Sequence, residues 1–177
     1  MKLYKEAARV ESYLSPEIKD YKRIVDLLHV TEDYLNLTVL QRKRLKVFDE
    51  TDFEALDDKQ QEQEFLLYFG DIHFLFSCAH KFMMLAERLI KQLRIEKTPY
   101  FCELKKYHAD SRNHFEHIDE RIDRHPIYRM AFSTVINNRM TVNEIDYDVS
   151  DEVLTPLYFI YEYIIKNIDD KYGYTTV

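Results

Sequence analysis

Glycine is nearly missing from this chain: Gly70 and Gly173 are the only two in 177 residues. Loops that cradle phosphate need glycine for positive φ and close backbone approach, which sets aside P-loop and dinucleotide-binding folds. Only four prolines occur, and the two scarcities together favour long helices over a turn-rich β fold. Cysteine is limited to Cys78 and Cys102, without CxxC spacing, so neither a zinc ribbon nor a disulfide framework is indicated. Both lie in helix-like sequence and are expected as small core residues. Positive charge is in deficit, with 25 Lys and Arg against 32 Asp and Glu, a net charge of −7. Such a chain has no general pull on nucleic acid, and any RNA contact has to come from a local patch. The most basic stretch, QRKRLK at 41–46, reads as a charged helix end.

Long apolar runs are absent too. The most apolar one, FLLYFGDIHFLFSCA, is interrupted by Asp71 and His73 and is too short and polar to span a bilayer. The opening MKLYKEAARVESYL has no continuous apolar region and does not read as a signal peptide. A cytoplasmic protein without a membrane partner is the expectation. With 46% apolar and 32% charged residues, the chain reads as one globular domain over 1–177, long enough to bury a continuous core.

What is present is helical periodicity. Leu3, Ala7, Val10 and Leu14 mark a first short amphipathic segment. Ser15-Pro16-Glu17 supplies a hydroxyl cap, a proline and an acid, and predicts a helix from there to about Val47. DETDFEALDDKQQEQ reads as an acidic loop leading into the next helix. The strongest pattern runs from about Asp58 to Ile95, where Phe65, Phe69, Ile72, Phe76, Ala79, Met83, Ala86, Ile90 and Leu93 step by three or four. A helix of that length reaches roughly 55 Å, so a bend near Gly70 or a projecting end is expected. Thr98-Pro99 opens a helix running to about Arg124, unless Asp110 and Ser111 cap a fresh one, and Pro126 stops it.

The period then falls to two. Tyr128–Ile136 and Arg139–Tyr147 alternate as strands around Asn137-Asn138, which predicts a β-hairpin packed on the helices. Thr155-Pro156 opens a last helix with Leu157, Tyr161, Ile164, Ile165 and Ile168 inward, ended by Gly173. The predicted fold is mainly α: a four- or five-helix bundle with a β-hairpin inserted before the last helix.

One strip carries the chemistry. Residues 111–123 read SRNHFEHIDERID, and Phe115, Ile118 and Ile122 set the core direction of a helix. His117 then points roughly 160° away from Phe115, beside Asn113, which lies four residues back and within reach. Arg112 lies roughly 140° from His117 around the axis. One helix therefore cannot easily aim both at a single small target, whereas two copies related by a twofold axis do so. Glu116 is expected to reach Glu120 or Arg112, and His117 to reach Arg121.

RNHFEH, Arg112 to His117, resembles the Arg-x4-His motif of the HEPN-domain family, down to the polar residue after the arginine, here Asn113. The resemblance covers this short motif and the general architecture, and the hairpin departs from the minimal bundle. It implies a homodimer in which two motifs face each other across a cleft. It also implies a metal-independent endoribonuclease of a prokaryotic toxin or defence system, with RNA as substrate and an antitoxin or regulatory protein as partner. His117 would be the acid/base, Arg112 the phosphate stabiliser and Asn113 the positioning residue, with no cofactor and no metal. The alternative is a non-catalytic dimeric interaction or regulatory module of the same build. Crowding of Asp110, Glu116, Asp119, Glu120 and Asp123 around the strip, which repels phosphate, favours it.

A metal-dependent helical-bundle enzyme is the third reading. His73 and His80 share a helix face, and His108, His114 and His117 with Glu103 offer donors. Their angular spread on a helix, and the lack of paired Glu-x-x-His motifs, count against it.

Overall fold

The structure, a computed structural model, describes residues 1–116, 135–136, 139–142 and 145–173. Five α-helices dominate these described residues: α1 (Glu6–Tyr13), α2 (Tyr21–Asp49), α3 (Asp58–Leu93), α4 (Phe101–Glu116) and α5 (Thr155–Tyr172). The chain is mainly helical, a helical bundle as the periodicity predicts. No helix among the described residues is long and apolar enough to cross a membrane.

α3 is the spine, packing against α2, α4 and α5. Its start is fixed by a reciprocal cap: Asp57 accepts from the Gln60 backbone N–H at 2.8 Å, and the Gln60 side chain accepts from the Asp57 N–H at 3.0 Å. The helix runs unbroken through Gly70, where an added Cβ would meet open space. Its first three turns carry no buried side chain; burial begins at Tyr68. Of the two expectations, the projecting end describes this helix. Ile72, Phe76, Ala79, Met83, Ala86, Ile90 and Leu93 are buried as the spacing predicts, whereas Phe65 stays exposed. Leu75, Phe82 and Leu89 widen the stripe, because a helix packed on three neighbours buries more than one row.

The Ser15-Pro16-Glu17 start is corrected. The Ser15 side chain does accept from the Glu17 N–H at 3.3 Å, but it holds only a turn. α2 begins at Tyr21, after Asp20 in the left-handed region at φ 63°. Ala7, Val10 and Leu14 are buried as the spacing predicts, but ahead of α1 Leu3 is exposed and Tyr4 takes its place in the core.

A buried carboxylate joins three helices. Glu32 of α2, 7% exposed, accepts from the Ala7 N–H in the first turn of α1 at 2.9 Å and from the Tyr161 hydroxyl of α5 at 2.6 Å. No side chain of α1 caps its own start, so Glu32 satisfies an orphan donor there and places negative charge at the positive end of the helix. Burial first, and then the Glu32 hydrogen bond, hold the Tyr161 hydroxyl well above the ordinary range.

Three short strands precede α5: β1 (Val135–Ile136), β2 (Arg139–Val142) and β3 (Ile145–Asp148), antiparallel in the order β1-β2-β3. Val135 pairs with Met140, and Val142 with Ile145. The segment expected as one strand over Arg139–Tyr147 is therefore two strands folded on each other, the β-branched run being interrupted in sequence by Asn143-Glu144. Positions 128–134 and Asn137-Asn138, on which the expected hairpin depends, lie outside the described residues. Tyr147 anchors β3 in a core cluster with Val39, Phe76 and Leu154, and Tyr107 of α4 accepts from the Asp148 N–H at 3.3 Å. α5 buries Leu157, Tyr161, Ile164, Ile165 and Ile168 as expected.

Candidate functional site

α4 sets the phase of the strip. Thr98 accepts from the Phe101 N–H at 3.0 Å to open the helix, and Phe101, His108 and Ser111 are buried along one side. The alternative of a fresh helix at Asp110-Ser111 does not occur; the Ser111 hydroxyl bonds back to the Tyr107 carbonyl at 2.7 Å within a continuous helix. With Ser111 inward, Arg112 sits half-buried at the edge of the core and Asn113 faces solvent. His117 lies outside the described residues. The structure thus places Arg112 and Asn113 on adjacent positions of α4.

Arg112 is held by Glu116, the partner expected one turn on: its Nε donates to Glu116 Oε1 at 2.7 Å, and a second nitrogen contacts the other carboxylate oxygen. Both side chains are about one-third exposed (35% and 31%). A pair of that kind on one helix is worth less than about 1 kcal/mol, so it orients the guanidinium without committing it.

Arg112 and Glu116 form one rim of a groove of about 760 Å³, walled by α2 and floored by α3. Three polar atoms there are shielded from solvent with no hydrogen-bond partner among the described residues: Gln41 Oε1, Ser77 Oγ and His80 Nδ1. Buried polar groups are almost always paired, so such a cluster in a groove suits a polar ligand group. Burial, and then the nearby positive charges of Arg112 and Lys105, push the His80 imidazole below its ordinary value. His80 is therefore neutral at pH 7 and able to accept a proton or hydrogen bond. Cys78 lines the same groove, but burial raises its thiol, which disfavours the thiolate.

His80 lies seven residues, two helical turns, after His73 on α3, and what sequence reasoning missed is that it comes close to Arg112 and His108 of α4. His108 is fully buried, both ring nitrogens lack a partner among the described residues, and burial followed by the His80 charge pushes it down to about 3. Among the described residues no group of three or more His, Cys, Asp or Glu is arranged to hold a metal ion. Of the donors considered, His108 is buried and Glu103 is exposed, while His117 and the side chain of His114 lie outside the described residues.

Three of the four cations in the basic run at 41–46 are paired with acids of this chain. Arg42, 3% exposed, bonds to Asp49 at 3.2 Å, and its Nε lies 2.9 Å from Asp151, off the N–H direction and thus an ion pair rather than a hydrogen bond. Arg44 pairs with Asp71 and Lys46 with Asp151. Cys102 is exposed, correcting its expected core position.

Compared with known protein families, curated proteins and solved structures, the chain matches none.

Proposed function

We propose that this chain is a HEPN-like helical-bundle protein of prokaryotic type, acting as a homodimer and cleaving RNA without a metal ion in a toxin or defence system. The observation that supports this reading is the placement of Arg112: half-buried, oriented by a weak partner, and facing a groove whose Gln41, Ser77 and His80 polar atoms have no partner among the described residues. A guanidinium in that setting offers planar, permanently charged donors to a phosphate, which outcompetes a single exposed carboxylate. His117, five residues on, is the proposed acid/base and Asn113 the positioning residue, with the second copy of the helix completing the site.

The Arg112–Glu116 pair gives the second reading its footing. In a non-catalytic dimeric interaction or regulatory module, that pair is permanent and the strip is a charged docking face for an antitoxin or regulatory protein. The two readings part in one experiment. Purified protein incubated with mixed RNA in EDTA is expected to cleave it, and His117→Ala and Arg112→Ala are each expected to lose at least about 100-fold in rate. Glu116→Gln is expected to retain activity. No cleavage by a folded wild-type dimer would establish the interaction module instead, and activity that requires added metal would support the third reading.

A further inference from the structure

Next to the Arg112 groove lies a second, of about 1070 Å³, between the first half of α2 and the last turns of α3. Lys22, Arg23, Arg88, Lys91 and Arg94 line it against a single acid, Asp26. All five cations are exposed and form no ion pair among the described residues. In a chain with 32 acids and 25 bases, that leaves one face of free positive charge. Leu85 and Arg88 line both grooves, so the two are continuous. From Arg94 to Lys81, on the α3 floor of the Arg112 groove, the helix rise covers roughly 20 Å.

The outer end of this face keeps a charge where backbone geometry favours its loss. Arg94 ends α3 at φ 56°, a left-handed position that glycine fills at no steric cost. The neighbouring left-handed residue, Asp20, accepts from the groove residue Gln92 at 2.9 Å and ties the start of α2 to the end of α3. A strained residue that carries a cation into a groove fits a functional constraint better than a packing one.

We propose that the α2–α3 face is a track for the phosphate backbone of single-stranded RNA, leading to Arg112. The proposal rests on the ribonuclease reading for its substrate, and it adds the surface that grips that substrate. Single strands are favoured over duplex because the floor is apolar: Leu27, Val30 and Leu85 line it, and Tyr34 waits at the Arg112 end as a stacking surface for a base. Attraction is local here, since the protein as a whole repels polyanions.

The test uses a fluorescein-labelled 12-mer of 2′-O-methyl uridine, which binds but has no 2′-hydroxyl to react, with the full chain in EDTA. With about four phosphates neutralised, log affinity is expected to fall against log salt with a slope near −3. Arg88→Ala/Lys91→Ala is expected to bind about tenfold more weakly at 150 mM salt and to halve the slope. Arg44→Ala/Lys46→Ala removes the same charge elsewhere and is expected to change affinity less than twofold. Arg94→Gly is expected to bind about fourfold more weakly while melting at a higher temperature. Equal affinity of the track variants and wild type, or an equal loss in the control variant, overturns the track. So does polyglutamate of the same charge competing at the same concentration as the oligonucleotide, which would assign the face to an acidic protein partner. Track binding without cleavage removes the ribonuclease and keeps the track; cleavage untouched by the track variants does the reverse.

Discussion

Replacing His108 with leucine is expected to stabilise the protein and to flatten its response to acid. The imidazole is fully buried between the rings of Phe76 and Tyr107, and neither nitrogen has a partner among the described residues. An apolar side chain of similar size removes two unpaired polar atoms, for a gain of about 1 kcal/mol at pH 7. The larger effect appears below neutrality. Burial pushes the folded-state value from the ordinary 6.5 down to about 3. The unfolded chain therefore takes up the proton first, and stability drains as pH falls from about 6.5 toward 3. The loss from this one group reaches about 2 kcal/mol by pH 5. His80, also depressed by burial and by Arg112, adds a smaller slope of the same sign that the variant retains. Urea unfolding at pH 7 and pH 5 measures both proteins. Equal losses in wild type and His108→Leu would contradict the account.

Glu32→Ala is the second large change expected. It strands the Tyr161 hydroxyl and the Ala7 N–H in the core and opens a cavity where α1, α2 and α5 meet. Two unsatisfied groups and the lost volume cost about 3–4 kcal/mol together, a large share of the roughly 5–15 kcal/mol typical of a domain. A fall in melting temperature of about 10 °C follows for a chain of this size. Glu32→Gln keeps a carbonyl acceptor and is expected to lose about half as much. A thermal melt of the three proteins settles the order, and a Glu32→Ala variant as stable as wild type would show that the three-helix junction holds without its carboxylate.

The helices were legible because their signals are local. The three-and-four stepping of α3 and the Thr155-Pro156 start each act within a few residues, and the structure keeps them. Ser15-Pro16-Glu17 misled because the same residues also make a turn, and the helix waits for the left-handed Asp20. Tyr4 displaced Leu3 because its ring packs edge-on against Tyr161 at 5.1 Å while its hydroxyl reaches Glu162, contacts made across more than 150 residues of chain. The candidate site divides in the same way. The Arg112–Glu116 pair is a one-turn relation and was readable from spacing. The place of His80 beside Arg112, and the basic face shared by α2 and α3, depend on how separate helices are rotated against each other, which no single stretch encodes.

The central claim is that Arg112 and His117 act from opposite copies of one helix, and subunit mixing tests it most directly. Arg112→Ala and His117→Ala are purified separately, each inactive on RNA in EDTA, then unfolded, combined and refolded together. A heterodimer holds one intact arginine and one intact histidine on different chains. The account predicts that the mixture regains cleavage at a sizeable fraction of the wild-type rate. A mixture that stays as inactive as its parents, or a chain that remains monomeric at the assay concentration, would contradict it.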